Sequence, residues 1–376
     1  MIRVLFIARY RDPTMHRKVE LMAENGDLLI RHIFPRLWQD DLLRVEQQLP
    51  NLPGLQRKPM ALFGSPVDPH RSFYRTLTFG IFSFRPHIIH AEEEPDSLAA
   101  LQIALCCRLF APRAKLFLHT WQNLDRPLSR AVELVLRATL SQADGIFCAN
   151  REAVALLRQR GYTRPAPVLP AVGVDTEKFA PRLPKTPGIF RAGYIGRLVA
   201  EKGIDTLIHA AALLSAQKGK RGFQVVIIGG GPLESVLRQQ VEGLGLQERV
   251  LFVPPMPTTQ IAGELARLDA LVLPSRTTPV WKEQLGRVLL EAMAVGVPVI
   301  GSDSGAIPEV IGDAGLIFPE GDGAALADRL AQLMADPELG ATVAGRGLAR
   351  ATTVYSQVVL AASLVQFYRE TGGVSG

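Results

Sequence analysis

Cysteine is scarce in this chain. The three present, Cys106, Cys107 and Cys148, form no C-x-x-C pair and sit in apolar runs, which speaks against a disulfide framework and against a zinc site. Long apolar runs are missing as well: none approaches the roughly eighteen residues that a membrane span needs. The opening strand IRVLFIA is cut off by Arg9 and Arg11 before it could serve as a signal peptide, so the expected location is the cytoplasm. Acidic excess is lacking too. Residues 1–180 hold 24 Lys and Arg against 18 Asp and Glu, whereas residues 181–376 hold 18 of each, so the whole net charge of +6 lies in the first half. Such a basic half suits an anionic membrane surface, nucleic acid or simply a solvated arginine-rich exterior. No nucleic-acid module is recognisable, and no nucleic-acid partner is expected.

What is present is ordinary globular material, 47% hydrophobic and 21% charged over 376 residues, long enough for two cores. Short runs of Val, Ile and Leu alternate with stretches of helical period. Strands are expected at 2–8, 28–34, 59–63, 87–91, 115–119 and 145–149, then at 190–195, 223–229, 249–253, 270–273 and 297–301. Continuous apolar strands separated by helices indicate an α/β fold with parallel sheets covered on both faces, and the doubled pattern indicates two doubly wound domains. The boundary falls in VDTEKFAPRLPKTPG, residues 174–188, where prolines and charges break both periodicities. The domains are thus expected at 1–180 and 181–352. Ligands of such sheets bind beyond the carboxyl ends of the strands, which directs the search to a cleft between the domains.

The stretch WKEQLGRVLLEAMAVGVPVIGSDSGAIPEV, residues 281–310, places Glu283 and Glu291 eight residues apart. A helix entered near Gln284 and left at Gly296 separates them by about 12 Å, at roughly 1.5 Å per residue. The helix start between them offers the amides of Gly286, Arg287 and Val288 and a favourable dipole to a diphosphate, and Gly286 permits close approach. The spacing fits a ligand with two polyol ends and an anionic middle. It equally fits a solvated acid and a capping acid on an ordinary helix. In GYIGRLVAEKGIDTLIHA, Arg197 follows a strand and Lys202 precedes a helix, so two cations could neutralise a diphosphate without a metal. No two aspartates stand two apart, and the D-x-D pattern for a divalent ion is absent.

GRLVAEKG together with the Glu283 to Glu291 stretch resembles the family 4 retaining glycosyltransferases (glycosyl transferase group 1) of the GT-B fold. The likeness is dense from Tyr194 to Phe318 and includes VGVD at 172–175, HAEEEP at 90–95 and HTWQN at 119–123. It implies two Rossmann-like domains with sheets facing across a cleft and a last helix, 353–372, returning to the first domain. By resemblance, Glu283 contacts the donor sugar, Glu291 the ribose, and Arg197 and Lys202 the diphosphate with help from the amides of Leu285, Gly286, Arg287 and Val288. The base lies along the main chain near Pro255 and Met256, and His119 meets the sugar from the first domain. The implied donor is a UDP- or GDP-sugar, the reaction transfer of a hexosyl unit to a hydroxyl acceptor that is lipid-linked or a polysaccharide precursor, and no cofactor or metal is required. Where many relatives carry paired glycines after the first strand, this chain has ARYRDPTMH. The acceptor side is assigned to Arg9, Arg11, Glu94 and Trp121.

Other signals divide. VVIIGGGPLE opens a helix but has Glu234 where a dinucleotide fingerprint needs glycine, which favours a packing turn. His87 and His90, three apart on a strand, point to opposite faces and could not share an ion. His119 is either a core histidine or the sugar contact. The acids Glu92, Glu93 and Glu94 are either a solvated loop or part of the acceptor wall. RSFYRTLTFGIFSFRP, residues 71–86, reads as an interfacial aromatic and basic helix at an anionic membrane or as a sheet-covering helix. Two alternatives to the transferase are a sugar-nucleotide epimerase of similar fold and a non-catalytic nucleotide-sugar-binding subunit.

Overall fold

Each of two compact units, residues 1–172 with 357–376 and residues 173–356, has its own six-stranded sheet. A computed structural model describes residues 1–10, 13–39, 44–47, 49–68, 70–180, 188–216 and 222–372 of the chain. Part of the expected linker, 181–187, lies outside the described residues, as does Arg11.

In unit 1 the strands are β1 (Ile2–Ala8), β2 (Leu28–Pro35), β3 (Leu55–Met60), β4 (Ile88–Glu92), β5 (Lys115–Thr120) and β6 (Gly145–Cys148). All neighbours are parallel, in the order β6-β5-β4-β1-β2-β3. Alternation along these strands feeds two cores. Leu5, Ile7, Ile89 and Leu118 point to one face with Ile103 of the helix Leu98–Phe110, and Phe6, Ile30 and Phe147 point to the other. On that second face lie Val19 and Met22 of the helix Arg17–Ala23 and Leu364, Val365 and Tyr368 of the final helix, Gln357–Gly372. Ser97, Ser129 and Asn150 each cap the helix that follows, accepting a bond from the amide three residues on.

Unit 2 repeats the plan with β7 (Phe190–Ile195), β8 (Phe223–Ile228), β9 (Val250–Val253), β10 (Ala270–Leu273), β11 (Val299–Ser302) and β12 (Gly315–Phe318), again parallel, in the order β9-β8-β7-β10-β11-β12. Both orders correspond to the doubly wound arrangement 3-2-1-4-5-6, so the α/β expectation of two Rossmann-like sheets is borne out. Such a sheet changes direction between its first and fourth strands, and there the loops diverge to leave a ligand crevice. The two places are therefore the ends of β1 and β4 in unit 1 and the ends of β7 and β10 in unit 2.

Three local expectations are corrected, and one strand is added. The helix expected from Gln284 begins at Arg287, because Gly286 takes a left-handed φ of +72° and turns the chain first. The strand expected at 59–63 is split: Leu55–Met60 joins the main sheet, and Leu62–Phe63 pairs antiparallel with Phe73–Tyr74. β12 had no expectation, since GLIF is too short to stand out from the helices around it. Residues 71–86 are not one helix; only Ile81–Phe84 is helical, between left-handed Gly80 and Arg85.

Candidate functional site at the carboxyl ends of β7 and β10

After β7 the chain passes Gly196 and Arg197 and makes a single 3-10 turn, Ala200–Lys202, ended by Gly203 at φ +63°. A Cβ on Gly203 would lie 2.1 Å from the Pro274 carbonyl oxygen, so only glycine lets this loop press against the one that follows β10. That closeness brings residues 81 apart together. Lys202 Nζ donates to Glu283 Oε2 at 2.6 Å, and Ser275 Oγ donates to the same oxygen at 2.8 Å. The ammonium also lies 4.6 Å from the centre of the Trp281 ring. Behind it, Ala306 N–H donates to the Glu283 carbonyl at 2.9 Å, and Gly305, at φ +55°, approaches so closely that a Cβ would be 2.1 Å from that oxygen. Glu283 is thus buried and held by side chain and backbone.

Arg197 differs from Lys202. Its carbonyl is anchored by the Tyr194 hydroxyl at 2.7 Å, but its side chain is 64% exposed and its acidic neighbour, Glu201, is 3.7 Å away. Next in the chain, Gly286 fits where a Cβ would meet Leu273 at 2.8 Å, and the helix Arg287–Val295 starts from it. No helical carbonyl precedes the amides of Arg287 and Val288, so they carry the positive end of the helix dipole. Leu285 is buried beneath this turn. Arg287 reaches Glu291 at 3.3 Å; burial raises the Glu291 carboxyl above its ordinary range while Arg287 opposes the rise. Pro255 and Met256 follow β9, with Pro255 3.6 Å from where a Cβ on Gly230 would stand. The GGG turn is a packing device, since a Cβ on Gly229 would lie 1.9 Å from the Gly196 carbonyl oxygen and one on Gly231 2.5 Å from that of Leu198. Cations and helix amides therefore gather at one sheet end beside two carboxylates, an arrangement able to hold an anionic centre flanked by hydroxyl groups.

In unit 1 the corresponding loops look inward. Arg9 Nε donates to Glu93 Oε1 at 2.6 Å and its NH1 to Ser72 Oγ at 2.6 Å, leaving the side chain 7% exposed. Lys18 pairs with Glu92 and also donates to the Ala171 carbonyl. Glu94 accepts from Thr120 Oγ1 at 2.8 Å and from Trp121 N–H at 2.7 Å. Burial, then the charge of Asp96, pushes the Glu94 carboxyl up to about 8. The three glutamates are thus not a solvated loop, because each side chain has a partner within the unit. Arg11, the other cation assigned to the acceptor side, lies outside the described residues. His119 is the penultimate residue of β5, buried, its ring 5.0 Å from that of Trp121. Burial, then Lys18, holds the imidazole down at about 3, with the Leu169 backbone opposing. His87 contacts Arg3 and His90 the Tyr368 hydroxyl, in different surroundings. Among the described residues no three His, Cys, Asp or Glu side chains group closely enough to hold a metal ion.

Sequence reasoning left out Ser275 and Trp281, which position Glu283 and Lys202. Ser275 lies two residues after β10, and recognising β10 as the fourth strand of the unit would have marked it. Trp281 offered no periodic or motif signal, since a lone aromatic in a loop is silent until its neighbour is known.

The profile of the family described as Glycosyl transferases group 1 matches residues 175–347. The chain is 33% identical over 211 residues to the GDP-mannose-dependent alpha-(1-6)-phosphatidylinositol monomannoside mannosyltransferase of Mycobacterium tuberculosis, covering 52% of this chain and 54% of that protein. It therefore spans about half the length of that curated relative. It is 27% identical over 323 residues to the 2-deoxystreptamine N-acetyl-D-glucosaminyltransferase of Streptomyces fradiae, covering 81% of this chain and 73% of that one. Among solved structures, Anabaena HepE in complex with UDP superposes with a TM-score of 0.72 at 18% identity over 98% of this chain and 100% of that one. At that identity the likeness concerns the fold, which is GT-B.

Proposed function

From the match of residues 175–347 to the group 1 glycosyltransferase profile we propose that this chain is a retaining hexosyltransferase. Its donor is a UDP- or GDP-sugar and its acceptor a hydroxyl group on a lipid-linked or saccharide polysaccharide precursor, taken up at the inner face of a membrane. The observation that carries this reading is the meeting of Lys202 with Glu283 at the change of direction in the unit 2 sheet, beside a helix start and an exposed arginine. A lysine ammonium has three N–H donors, so Lys202 can hold Glu283 and still donate to a phosphate. Arg197 adds a planar fork and the amides from Leu285 to Val288 add fixed dipoles. Glu283 then orients the sugar hydroxyls, Glu291 the ribose, and the main chain at Pro255 and Met256 the base. His119 keeps the sugar contact that the family resemblance gives it, as a neutral imidazole. Glu94 and Trp121 are assigned to the acceptor, with Arg9 acting behind them through Glu93.

In this reaction the anomeric carbon breaks its bond to the diphosphate oxygen and forms one to the acceptor oxygen on the same face. The acceptor proton passes to the departing phosphate. The protein's part is to stabilise the charge that builds on the leaving diphosphate, through groups already in position and without a metal. Thermal shift against a panel of UDP-, GDP- and ADP-sugars identifies the donor, since a ligand at 100 times its Kd stabilises by about 2.7 kcal/mol. With that donor, Lys202→Ala lowers turnover by about 10² or more, the scale of one lost preorganised donor. Near wild-type turnover rejects the assignment, donor conversion without any acceptor indicates an epimerase, and binding without turnover indicates a non-catalytic subunit.

A further inference from the structure

In unit 1, Arg9 with Glu93 and Lys18 with Glu92 fill the crevice at the ends of β1 and β4, but open space remains beside it. β2 and β3 run parallel and end next to each other, at Pro35 and Met60, and a short hairpin follows each. Leu37–Gln39 pairs antiparallel with Arg44–Glu46, and Leu62–Phe63 with Phe73–Tyr74. The residues that follow β2 and β3 line a cavity of about 590 Å³, inside the range of about 300–1,000 Å³ usual for small-molecule sites. It lies at the carboxyl edge of the sheet, where doubly wound folds take their ligands. Both hairpins are fastened to the loops after β1. Gln47, fully buried, closes the first: its N–H donates to the Arg36 carbonyl at 2.8 Å and its Nε2 to the Tyr10 carbonyl at 2.7 Å, while its Oε1 is 2.7 Å from His16 Nε2. Ser72, also fully buried, anchors the second, accepting from Arg9 NH1 at 2.6 Å and donating to the Asp68 carbonyl at 2.5 Å. The walls are therefore held by buried polar contacts within the unit, and the cavity is formed before any ligand arrives.

The wall of this cavity is chemically mixed. Arg36 and Gln39 line it from the first hairpin and Ser65 from the loop of the second, with Leu37, Leu62 and Val67 among them. Leu62 rests on the core of the unit, whereas Leu37 and Val67 are exposed. Ser65 Oγ accepts from the Val67 N–H at 3.3 Å, which leaves its hydroxyl hydrogen for a ligand. Among the described residues Arg36 is the one charged side chain of the wall, and Glu46 stands 3.8 Å from it, so the cavity carries little net charge. A nucleotide diphosphate finds no match for its charge here. A sugar ring does fit this chemistry, since it presents hydroxyl groups at its edge and C–H groups on its face. The planar groups of Arg36 and Gln39 suit adjacent hydroxyls, and the leucines and valine suit the C–H face.

We propose that the cavity between the two hairpins of unit 1 binds a neutral saccharide, with Arg36, Gln39 and Ser65 at its hydroxyls and Leu37, Leu62 and Val67 at its C–H face. This rests on the transferase reading and deepens it: the saccharide is a part of the acceptor remote from the hydroxyl that reacts, and the chain selects for an uncharged sugar there. Binding in the cavity is separable from catalysis.

The test is saturation-transfer NMR on the full chain with methyl glycosides of glucose, galactose, mannose and N-acetylglucosamine, and with glucuronic acid and n-butanol as charged and apolar controls. Signal is expected on the ring protons of at least one neutral glycoside and on neither control. Gln39→Ala lowers the affinity for that glycoside about tenfold, the effect of one or two lost hydrogen bonds. Val67→Trp, which turns an exposed valine into an indole that fills the cavity, abolishes the signal. Both positions are exposed, and unfolding curves like that of the parent exclude misfolding. No signal from any neutral glycoside, equal signal from either control, or variants that bind like the parent each overturns the proposal. So does a signal that a saturating nucleotide sugar removes and Val67→Trp does not, since the glycoside then sits in the donor site. If the glycosides fail while a nucleotide sugar still shifts the melting temperature, the saccharide cavity alone is wrong; if they bind in the cavity and no nucleotide sugar shifts it, the transferase reading fails instead.

Discussion

At the change of direction in the unit 1 sheet, Arg9 and Lys18 are engaged inside the unit by Glu93 and Glu92. At the equivalent place in unit 2, Lys202 meets Glu283, but Arg197 stays exposed beside a helix start. Both units have the same strand order and close their loops at the same end, so topology does not explain the contrast. What differs is whether the cations at the crevice have already found carboxylates that bury them. A buried pair contributes little net stability but is costly to break, because the surviving charge has nowhere to go. A pair left partly open retains donors for a ligand. The comparison teaches that one fold can bury the cations at one crevice and leave a cation exposed at the other.

The sharpest way to break this contrast is Lys18→Met. It leaves Glu92 buried without its cation and should destabilise the chain by about 3–5 kcal/mol in denaturant unfolding. A change of less than about 1 kcal/mol, the range of exposed pairs, would mean that the unit 1 crevice is as open as that of unit 2. A smaller effect is expected from Gly305→Ala. The new Cβ would collide with the Glu283 carbonyl oxygen, in a backbone region unfavourable to alanine. Stability should fall by about 1–3 kcal/mol, and the melting shift given by the best nucleotide sugar should shrink with it. An unaltered donor shift would detach Glu283 from the donor.

The remaining expected effect is confined to acid pH. His119 titrates at about 3 in the folded chain and near its ordinary value of 6.5 when unfolded. The unfolded state therefore binds the proton first as pH falls, and stability that is full above about 6.5 is lost progressively towards 3. His119→Gln removes that contribution, so its melting temperature should fall less than that of the parent between those limits. Equal slopes would place the acid sensitivity with other buried histidines such as His32 and His90, which burial also depresses.

The legibility of the chain follows the range of the forces involved. Runs such as IRVLFIA and ALVL announce buried parallel strands because both faces of each strand are covered, and their residues needed no distant partner to be read. Boundaries were less secure. Gly286 falls inside an apolar helical period, and only its left-handed conformation delays the helix to Arg287. Residues 71–86 carry the composition of an amphipathic helix, yet Leu62–Phe63 captures Phe73–Tyr74 in a hairpin and leaves a single helical turn. In unit 2, Glu283 and Lys202 each stood out as polar residues in a glycine-punctuated loop. That a single carboxylate oxygen of one would receive both the lysine and Ser275 was invisible, since the three come from two loops set against each other by Gly203.

By itself, the sequence determined two parallel sheets, their strands and the loops rich in charge and glycine, because local periodicity and turn chemistry decide those at short range. Only the tertiary structure decided which charges neutralise one another. Pairing depends on the close approach of loops far apart in the chain, and the low dielectric of a buried site magnifies whichever contact that approach allows.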